Sequence, residues 1–317
     1  MGARIARDDE VAAWREDGWV LLSGLIDAAT IDAAAVDLAH MFPDPEKFHA
    51  DPARHRPAGR STEELRRGYP ELPATGPAFR PEQHRFGREF PWYGSGLLNR
   101  LTVHPSIVDF MERALGSNDL RVYQTQVSAK YAGDTNFEQP MHTDRNHSFL
   151  PPRSEPPWWH VESFLYLVDV DEGNAPTHLV KRADAAGRSV NDIYMPDGDA
   201  DLYAHEHAAV GPRGSLLVYR PDVFHRGVDL TRAGSHRFLL NVSYKLAGQD
   251  WVGYHSAQSK ATHPGWTRFV EESTPRELEL FGFPPPGHPI WTRSLVEATT
   301  EKYPNLDVGP WLRALPG

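Results

Sequence analysis

Alternation of polar and apolar side chains is the strongest local pattern in this chain, and it predicts β-strands. Residues 120–131 alternate at every second position, as a strand with one polar and one more apolar face does. Residues 237–245 alternate in the same way, whereas residues 161–170 are apolar at nearly every position, which predicts a strand buried on both faces. The polar face of the first strand carries Gln124, Gln126, Ser128 and Lys130, and one face of the last carries Arg237, Leu239, Asn241, Ser243 and Lys245.

Shorter patterns add helices around these strands. Residues 8–17, 27–40 and 105–115 predict helices, with Asp27 as the N-cap of the second and Gly116 at the end of the third. Further short elements are predicted as strands at 19–22 and 215–219 and as a helix near 294–302.

The links between the predicted strands are long and rich in Pro and Gly, which favours an antiparallel double-sheet barrel over a parallel sheet with crossover helices. No GxGxxG, P-loop or GxSxG motif occurs where a parallel α/β fold needs one. The chain is therefore predicted to be one domain over residues 1–317, mainly β with flanking helices. Residues 250–317, rich in Pro and Trp, are expected to form a C-terminal extension.

Residues 43–95 differ in kind from the rest of the chain. They are crowded with Pro, Gly, Arg and His and show no sustained period. Two interpretations stay open, an irregular surface excursion and a lid or substrate loop, because long ordered loops in compact domains are often functional.

The composition restricts the chemistry. Apolar residues make up 40% of the 317 residues, and the 33 basic and 43 acidic residues leave a net charge of −10, which disfavours nucleic-acid and anionic-membrane partners. No cysteine is present, so any metal must be held by carboxylates and some of the 16 histidines. The N-terminus lacks an apolar signal core, and no apolar run approaches the length of a membrane span, so the expected location is cytoplasmic.

Three His-x-carboxylate triplets, at 49–51, 142–144 and 160–162, are candidate metal ligands. With this many histidines, one or two such triplets arise by chance, so their context has to decide between them. The first lies in the irregular stretch, where nothing would hold it rigid. The third begins a predicted strand, where an edge or interior polar pair is the simpler explanation. The second lies between two predicted strands and is therefore preferred.

A further histidine and an arginine complete the pattern. His225 follows the predicted strand at 215–219, and Arg237 comes twelve residues later. Two imidazoles and one carboxylate on one face of a metal leave three positions open, which suits non-haem Fe(II) oxygenases. Arginine offers a planar, permanently charged fork for the far carboxylate of a cosubstrate such as 2-oxoglutarate. A solvated histidine in a turn would explain His225 alone, and a surface salt bridge would explain Arg237 alone. Neither explains why a His-x-carboxylate triplet, a distal histidine and an arginine follow one another in this order.

Five segments resemble the phytanoyl-CoA dioxygenase family, a branch of the Fe(II)/2-oxoglutarate oxygenases. EDGWVLLSGLID at 16–27 resembles the family's N-terminal start, and QPMHTD at 139–144 resembles its first ligand motif. EGNAPTHLV at 172–180 resembles its strand-end segment. GSLLVYRPDVFHRG at 214–227 and HRFLLNVSY at 236–244 resemble the distal-ligand segment and the arginine-bearing strand.

The resemblance implies a double-stranded β-helix, a jelly-roll or cupin-like fold, with Fe(II), 2-oxoglutarate and O2 as cofactors and ascorbate as a supporting reductant. It implies hydroxylation of an unactivated C–H of a small molecule, a secondary metabolite or a lipid-like compound, with release of succinate and CO2. Residues 181–184 read Lys-Arg-Ala-Asp where the family often shows Pro-Gly-Ser-His, so no known member's substrate is carried over. The residues implied are His142, Asp144 and His225 as catalytic iron ligands, Arg237 for the 5-carboxylate of 2-oxoglutarate, and Gln139, Thr177 and Gln124 as further cosubstrate contacts.

The substrate side and the reaction class each leave an alternative open. The expected mouth of the site is flanked by four aromatic residues and by three polar residues directly after the ligand motif: Trp92, Tyr93, Trp158, Trp159, Arg145, Asn146 and His147. The aromatic residues form either ordinary core packing or a substrate-binding cage, in which Arg145 would bind a polar or anionic group. A coenzyme A thioester is compatible with family analogy alone, and no cluster of Lys and Arg calls for one. The alternative function is a jelly-roll metal protein without redox chemistry, such as a cupin-like isomerase or binding module. Arg237 argues against it, because such a site has no cosubstrate carboxylate to bind.

Overall fold

The computed structural model describes residues 3–55, 87–92, 96–132, 138–144, 147, 155–190, 194–249, 252 and 264–315. The α-helices of these residues are α1 (Asp8–Asp17), α2 (Ala28–Ala35), α3 (Pro45–Ala50), α4 (Pro52–His55), α5 (Gly96–Leu101), α6 (Pro105–Leu115), α7 (Pro264–Glu271), α8 (Pro275–Glu279), α9 (Arg293–Lys302) and α10 (Gly309–Arg313). The strands are β1 (Trp19–Leu22), β2 (Gly87–Glu89), β3 (Leu120–Tyr131), β4 (His160–Tyr166), β5 (His178–Val180), β6 (Glu206–Ala208), β7 (Leu216–Tyr219), β8 (His225–Arg226) and β9 (His236–Leu246).

Within this described part of the chain, the strands form two antiparallel sheets. The larger sheet has six strands in the order β1-β7-β4-β9-β3-β2, and the smaller has three in the order β6-β5-β8. The register of β3 with β9 places Lys130 opposite Arg237 and Gln126 opposite Asn241. Because side chains alternate between the two faces of a strand, all four share one face of the sheet. The predicted mainly β, antiparallel double-sheet architecture is confirmed.

Capping explains where the first helices begin and end. The Asp27 side chain accepts a hydrogen bond from the backbone N–H of Thr30 at 3.0 Å and so caps α2, as predicted. The helix expected over 27–40 is α2 followed by a 3-10 turn at Val36–His40. The predicted helix at 105–115 is α6, and it ends at Gly116.

The main hydrophobic core lies between the helices and the face of the larger sheet that is turned away from Arg237. Trp14 of α1 and Phe110 of α6 meet edge to face, and both are fully buried together with Val161 of β4 and Leu240 of β9. A separate cluster of apolar residues, which includes Trp291, packs between the C-terminal helices. None of the helices in the ranges given above is long and apolar enough to cross a bilayer.

β4 ends four residues earlier than the apolar pattern predicted. The apolar pattern continues to Val170, but the chain bends at residues 167–168, and Val170 then forms only an isolated bridge with Gly211 before the next turn. Asp171 accepts hydrogen bonds from the backbone N–H of Gly173, through its side chain, and of Asn174, through its carbonyl. Asp169 accepts the backbone N–H of Arg213 at 2.8 Å. These local polar contacts compete with strand pairing in a way that an apolar count does not register.

Residues 43–95 are described only in part. Their first section contains α3 and α4, and their last section contains β2, three elements too short to show a period in the sequence. Residues 56–86 and 93–95, which make up most of the predicted lid or surface loop, lie outside the described residues.

Gly214 tests the packing between β7 and the segment before α2. It has a φ of +84°, and a Cβ there would collide with the backbone oxygen of Ile26. Gly214→Ala should lower the free energy of unfolding by about 3 kcal/mol or more, because a backbone collision adds to the roughly 1–2 kcal/mol cost of left-handed geometry. Gly234→Ala is the matched control, since Gly234 has a φ of +71° with nothing near its Cβ position. Urea unfolding that finds equal losses in both variants would contradict the prediction.

Candidate metal centre

Two histidines and one aspartate meet where the smaller sheet approaches the larger one. His142 and His225 form a reciprocal backbone pair, in which the His142 N–H donates to the His225 carbonyl at 3.0 Å and the return bond is 2.9 Å. Asp144 follows two residues later, and its N–H donates to the Pro221 carbonyl at 3.1 Å. One potential ligand atom of each side chain lies within 4.8 Å of the other two, and all three residues are buried.

Hydrogen bonds fix the orientation of both imidazole rings. Nδ1 of His142 lies 2.9 Å from the Pro140 carbonyl, and Nδ1 of His225 lies 3.0 Å from the Val223 carbonyl. Because a carbonyl oxygen only accepts, each Nδ1 carries the hydrogen and each Nε2 offers its lone pair. Burial, together with the neighbouring His225 ring, lowers the pKa of His142 to about 4, so this ring is neutral near pH 7.

The Asp144 carboxylate is held by its surroundings in the ionised form. Burial alone would raise the pKa of Asp144, but the rings of His147, His225 and His142 and the hydroxyl of Tyr219 outweigh it and hold that pKa below its ordinary value. The Tyr219 hydroxyl donates to Oδ2 of Asp144 at 2.8 Å. Burial and the nearby Asp144 raise the pKa of Tyr219, so the phenol keeps its proton and remains a donor.

These three side chains fit an iron(II) ion. Two neutral imidazole nitrogens and one carboxylate on one side of a site form the ligand set that non-haem Fe(II) oxygenases use. The hydrogen bonds from Nδ1 and from the Tyr219 hydroxyl are the kind of outer contacts that orient metal ligands. No cysteine is available to direct the site toward a thiolate metal.

A cavity of about 180 Å³ opens beside the three side chains and has two buried basic residues at its other end. Arg237 and Lys130 both line it, opposite each other on β9 and β3. Arg237 is 7% exposed, its guanidinium donates to the Ala175 carbonyl, and its Nε has no hydrogen-bond partner among the described residues. No carboxylate of those residues lies within ion-pair distance of it. Burial lowers the pKa of Arg237 to about 10. Burial and the neighbouring positive charge of Arg237 hold the pKa of Lys130 well below its usual range.

Residues 14–233 match the sequence family described as phytanoyl-CoA dioxygenase. The chain belongs to this family. It is therefore a member of the iron- and 2-oxoglutarate-dependent oxygenases, as its motifs predicted. No curated protein sequence matches the chain significantly.

Solved structures show the same fold. The non-haem alpha ketoglutarate dependent carbocyclase SnoK from nogalamycin biosynthesis is 18% identical, with a TM-score of 0.56 over 84% of this chain and 95% of that chain. EctD from S. alaskensis is 14% identical, with a TM-score of 0.53 over 80% and 83% of the two chains. The epimerase SnoN, solved with Fe3+, alpha ketoglutarate and nogalamycin RO, is 18% identical, with a TM-score of 0.51 over 76% and 83%. The predicted jelly roll is thus confirmed.

The cosubstrate residues implied by the family resemblance all line the cavity. Gln139 is held in place by the backbone of Gly227, whose N–H donates to its Oε1 at 2.9 Å. Thr177 is 6% exposed and lies directly before the first residue of β5. Gln124 presents an Oε1 that has no hydrogen-bond partner among the described residues. Their contact with a cosubstrate stays a prediction.

The other two His-x-carboxylate triplets are not assembled as metal sites by this part of the fold. His49 lies in α3 with its ring edge against Phe48. His160 packs edge to face against Tyr123 at 5.6 Å, and burial lowers its pKa to about 3. Within the described part of the chain, neither histidine belongs to a cluster of potential metal ligands.

The tryptophans expected near the substrate lie at different depths. Trp92 is 2% exposed in the main core, and its indole N–H donates to the Arg88 carbonyl at 2.8 Å. Trp158 packs edge to face against Trp14 at 5.0 Å and beneath the guanidinium of Arg220 at 4.9 Å. Neither lines the cavity, and Trp159 does not line it either. Arg145 lies outside the described residues, so the substrate-binding role of these four residues stays a prediction.

Three further residues surround Asp144: Tyr219 and Glu162, which the sequence analysis did not place at the site, and His147, which it placed only at the mouth of the site. Tyr219 holds its carboxylate, as described, and His147 and Glu162 form a further cluster with it, in which one potential ligand atom of each lies within 4.8 Å of the others. Nδ1 of His147 lies 2.9 Å from Oε1 of Glu162. The available signal for Glu162 is an acidic side chain within a strand that is otherwise mostly apolar, and the sequence pattern pairs it with His160 as a triplet.

Glu162 should make stability depend on pH. Burial raises its pKa to about 8, so the folded state binds its proton more tightly than the unfolded state, whose pKa is about 4.3. Its stabilising contribution is complete below pH 4.3 and is lost as pH rises toward 8, an effect on the order of a few kcal/mol. Metal-free Glu162→Gln should therefore gain stability relative to the natural protein between pH 5 and pH 8, measured by urea unfolding.

Glu10→Gln is the matched control for this pH effect. Glu10 is also buried, at 6% exposure, but Arg4 holds its carboxylate and its pKa is lowered despite that burial. Its contribution changes below pH 4.3, so its stability difference from the natural protein should be the same at pH 5 and pH 8. A Glu162→Gln difference that is equally constant would contradict the prediction.

Proposed function

We propose that this protein is an Fe(II)- and 2-oxoglutarate-dependent dioxygenase that hydroxylates an unactivated C–H of a small organic molecule. The observation that carries the proposal is the buried Arg237, a cation without a carboxylate partner in the described structure, in the same cavity as the His142, Asp144 and His225 side chains. A buried charge is costly unless something neutralises it, so the cavity favours an anionic ligand.

Each residue has a defined role in this proposal. His142 and His225 bind iron through Nε2, and Asp144 binds it through its carboxylate while Tyr219 holds the other end of that group by a hydrogen bond. Arg237 binds the 5-carboxylate of 2-oxoglutarate, and Gln139, Thr177 and Gln124 contact the rest of it. When bound, iron and 2-oxoglutarate supply O2 activation, with oxidative decarboxylation to succinate and CO2. The chain orients both and limits the access of water.

Competing reactions start from the same cofactors. SnoN is named as an epimerase and SnoK as a carbocyclase, and both names specify dependence on alpha ketoglutarate. Product masses separate these outcomes, since hydroxylation adds one oxygen and epimerisation adds nothing. A jelly-roll metal protein without redox chemistry is disfavoured by Arg237, because it would leave that buried cation uncompensated.

Metal binding tests the ligand assignment. His142→Ala or His225→Ala should lower the affinity for Mn(II), a redox-stable substitute for iron(II), by roughly 100-fold or more, since even changes in the groups behind the ligands cost about 10–100-fold. His160→Ala is the matched control, because His160 is equally buried but outside the ligand cluster. Calorimetric titration that shows metal loss in His160→Ala and retention in His142→Ala would refute the assignment.

Cosubstrate binding tests Arg237. Arg237→Gln should weaken 2-oxoglutarate binding by roughly 30-fold or more, because removing one side of a buried charge pair costs about 2–5 kcal/mol. 2-Oxobutyrate, which lacks the 5-carboxylate, is the control ligand and should bind both proteins alike. Anaerobic calorimetry with Mn(II) measures both ligands. If Arg237→Gln keeps its preference for 2-oxoglutarate, the carboxylate lies elsewhere, with Lys130 as the next residue to test.

A further inference from the structure

A cluster of charged side chains lies behind the metal centre, on the face of the smaller sheet that is turned away from the cavity. Its central residue is Arg226, which follows His225 in β8. Neighbouring side chains of a strand point to opposite faces, and His225 lines the cavity whereas Arg226 does not. Arg226 is 9% exposed, so its guanidinium lies inside the protein. The proposed function leaves this buried charge without a role.

Two carboxylates hold the Arg226 guanidinium. Nε and Nη2 donate to the two oxygens of Glu206 at 2.7 and 2.8 Å. Nη1 donates to Oε1 of Glu138 at 2.9 Å. The two-pronged bond to Glu206 fixes the plane of the guanidinium as well as its position, which a single contact between two charges does not.

These two carboxylates belong to different parts of the chain. Glu138 lies four residues before His142, in a segment whose Gln139 N–H donates to the Gly227 carbonyl at 2.9 Å. Glu206 is the first residue of β6, which is separated from β8 by β5. The guanidinium therefore joins the far strand of the smaller sheet to the segment that carries the first metal ligand.

Tyr203 is the third contact of Arg226, and it also leads to the first metal ligand. Its ring centroid lies 5.4 Å from the guanidinium carbon, within the range of a cation–π contact. The Tyr203 hydroxyl accepts the backbone N–H of Met141 at 3.0 Å, and Met141 directly precedes His142. Arg226 is thus covalently next to one histidine ligand and is joined by side-chain contacts to the segment of the other.

The length of β8 explains why such a support matters. The strand consists of His225 and Arg226, and it pairs with two residues of β5. On its other side, His225 forms an isolated bridge with His142. Because so short a strand makes few backbone hydrogen bonds, its position depends on its side chains as well. A bound metal keeps its ligand distances within about 0.2 Å, so a small displacement of either imidazole would weaken metal binding.

We infer that Arg226 is a positioning residue of the metal centre. Through its two carboxylate partners and the Tyr203 ring, it holds the backbone pair of His142 and His225 in the register that directs both Nε2 atoms to one metal ion. This inference rests on the ligand assignment in the proposed function, and it is independent of the cosubstrate and of the reaction. The alternative role for Arg226 is stabilisation of the smaller sheet alone, without an effect on the metal centre.

Mn(II) binding to the protein and its variants tests the inference. Arg226→Gln removes both the charge and the fork, and it should lower the Mn(II) affinity by roughly 10-fold or more, because the groups behind metal ligands are worth about 10–100-fold. Arg226→Lys keeps the charge but not the two-pronged bond, so it should recover part of this loss. Calorimetric titration measures the affinities, and urea unfolding of the metal-free proteins measures stability separately.

A second measurement reports the geometry of the site when it is fully occupied. Co(II) replaces iron(II), and its visible d–d absorption depends on the arrangement of its ligands. At saturating Co(II), Arg226→Gln should shift these bands or change their intensity, and Arg226→Lys should lie closer to the natural protein. A residue that only stabilised the sheet would lower the free energy of unfolding and leave the spectrum of the occupied site unchanged.

Arg4→Gln is the matched control. Nη1 and Nη2 of Arg4 donate to the two oxygens of Glu10 at 2.8 Å each, and Glu10 is 6% exposed. Neither residue lines the cavity. Loss of this paired bond should lower the free energy of unfolding, but it should leave the Mn(II) affinity and the Co(II) spectrum as they are in the natural protein.

Tyr203→Phe carries the test if Arg226→Gln does not fold. It keeps the ring beside Arg226 and removes only the hydroxyl that accepts the Met141 N–H. The Mn(II) affinity should fall by roughly fivefold, which corresponds to the loss of one hydrogen bond of about 1 kcal/mol. Tyr244→Phe is its control, because the buried Tyr244 hydroxyl donates to the Thr102 carbonyl in the main core, and its removal should leave the affinity unchanged.

The outcomes separate this inference from the proposed function. A folded Arg226→Gln protein with the Mn(II) affinity and Co(II) spectrum of the natural protein would overturn the inference. Equal changes in Arg226→Gln and Arg4→Gln, or in Tyr203→Phe and Tyr244→Phe, would overturn it as well, because the effect would then be general. Unaltered Mn(II) binding in His142→Ala would instead refute the ligand assignment, and with it the proposed function.

Discussion

The reciprocal backbone pairing of His142 with His225 is the contact on which the site depends. They lie 83 positions apart in the chain (225 − 142), and two backbone hydrogen bonds join His142 to β8 at the edge of the smaller sheet. The same bonds fix the distance between the imidazole rings, whose centroids are 4.4 Å apart. Asp144 is placed by its own backbone bond to Pro221, so all three side chains derive their positions from main-chain contacts. Main-chain contacts hold a site more rigidly than mobile side chains would.

The electrostatics of the cavity follow from which residues the larger sheet turns inward. Lys130 and Arg237 face each other across β3 and β9, and burial lowers the pKa of both. Near the other end, burial raises the pKa of Glu162 to about 8, while the surrounding rings lower that of Asp144. The pKa values of these two carboxyl groups, which lie within 4.8 Å of each other, are thus shifted in opposite directions by different neighbours. This difference allows Asp144 to bind a metal while Glu162 contacts His147.

The opposite face of the same sheet packs in the main hydrophobic core. This packing offsets the free-energy cost of burying the polar side chains of the cavity. Val161, Leu240 and their neighbours pack against Trp14 and Phe110 of the outer helices. Arg220 contributes there as well: it forms a paired hydrogen bond with Asp222 at 2.9 and 2.7 Å and lies over the ring of Trp158. The sheet therefore separates an apolar, well-packed side from the side that carries the polar side chains of the cavity.

Local pattern in the sequence is enough to determine which face of β3 and β9 each residue occupies, because side-chain direction in a strand alternates with period two. This alternation alone places Arg237 on one face with Asn241 and Ser243, and the motifs around His142 and His225 point to the family. The predicted end of β4 was wrong because the turn contacts of Asp169 and Asp171 are not hydrophobic signals. Only the tertiary structure decided that Trp92 and Trp158 lie in or against the core, since buried packing and a substrate cage require the same aromatic residues. Only the tertiary structure joined Glu162 to His147 and Asp144, because such contacts arise when strands distant in sequence pair, and no local period records that pairing.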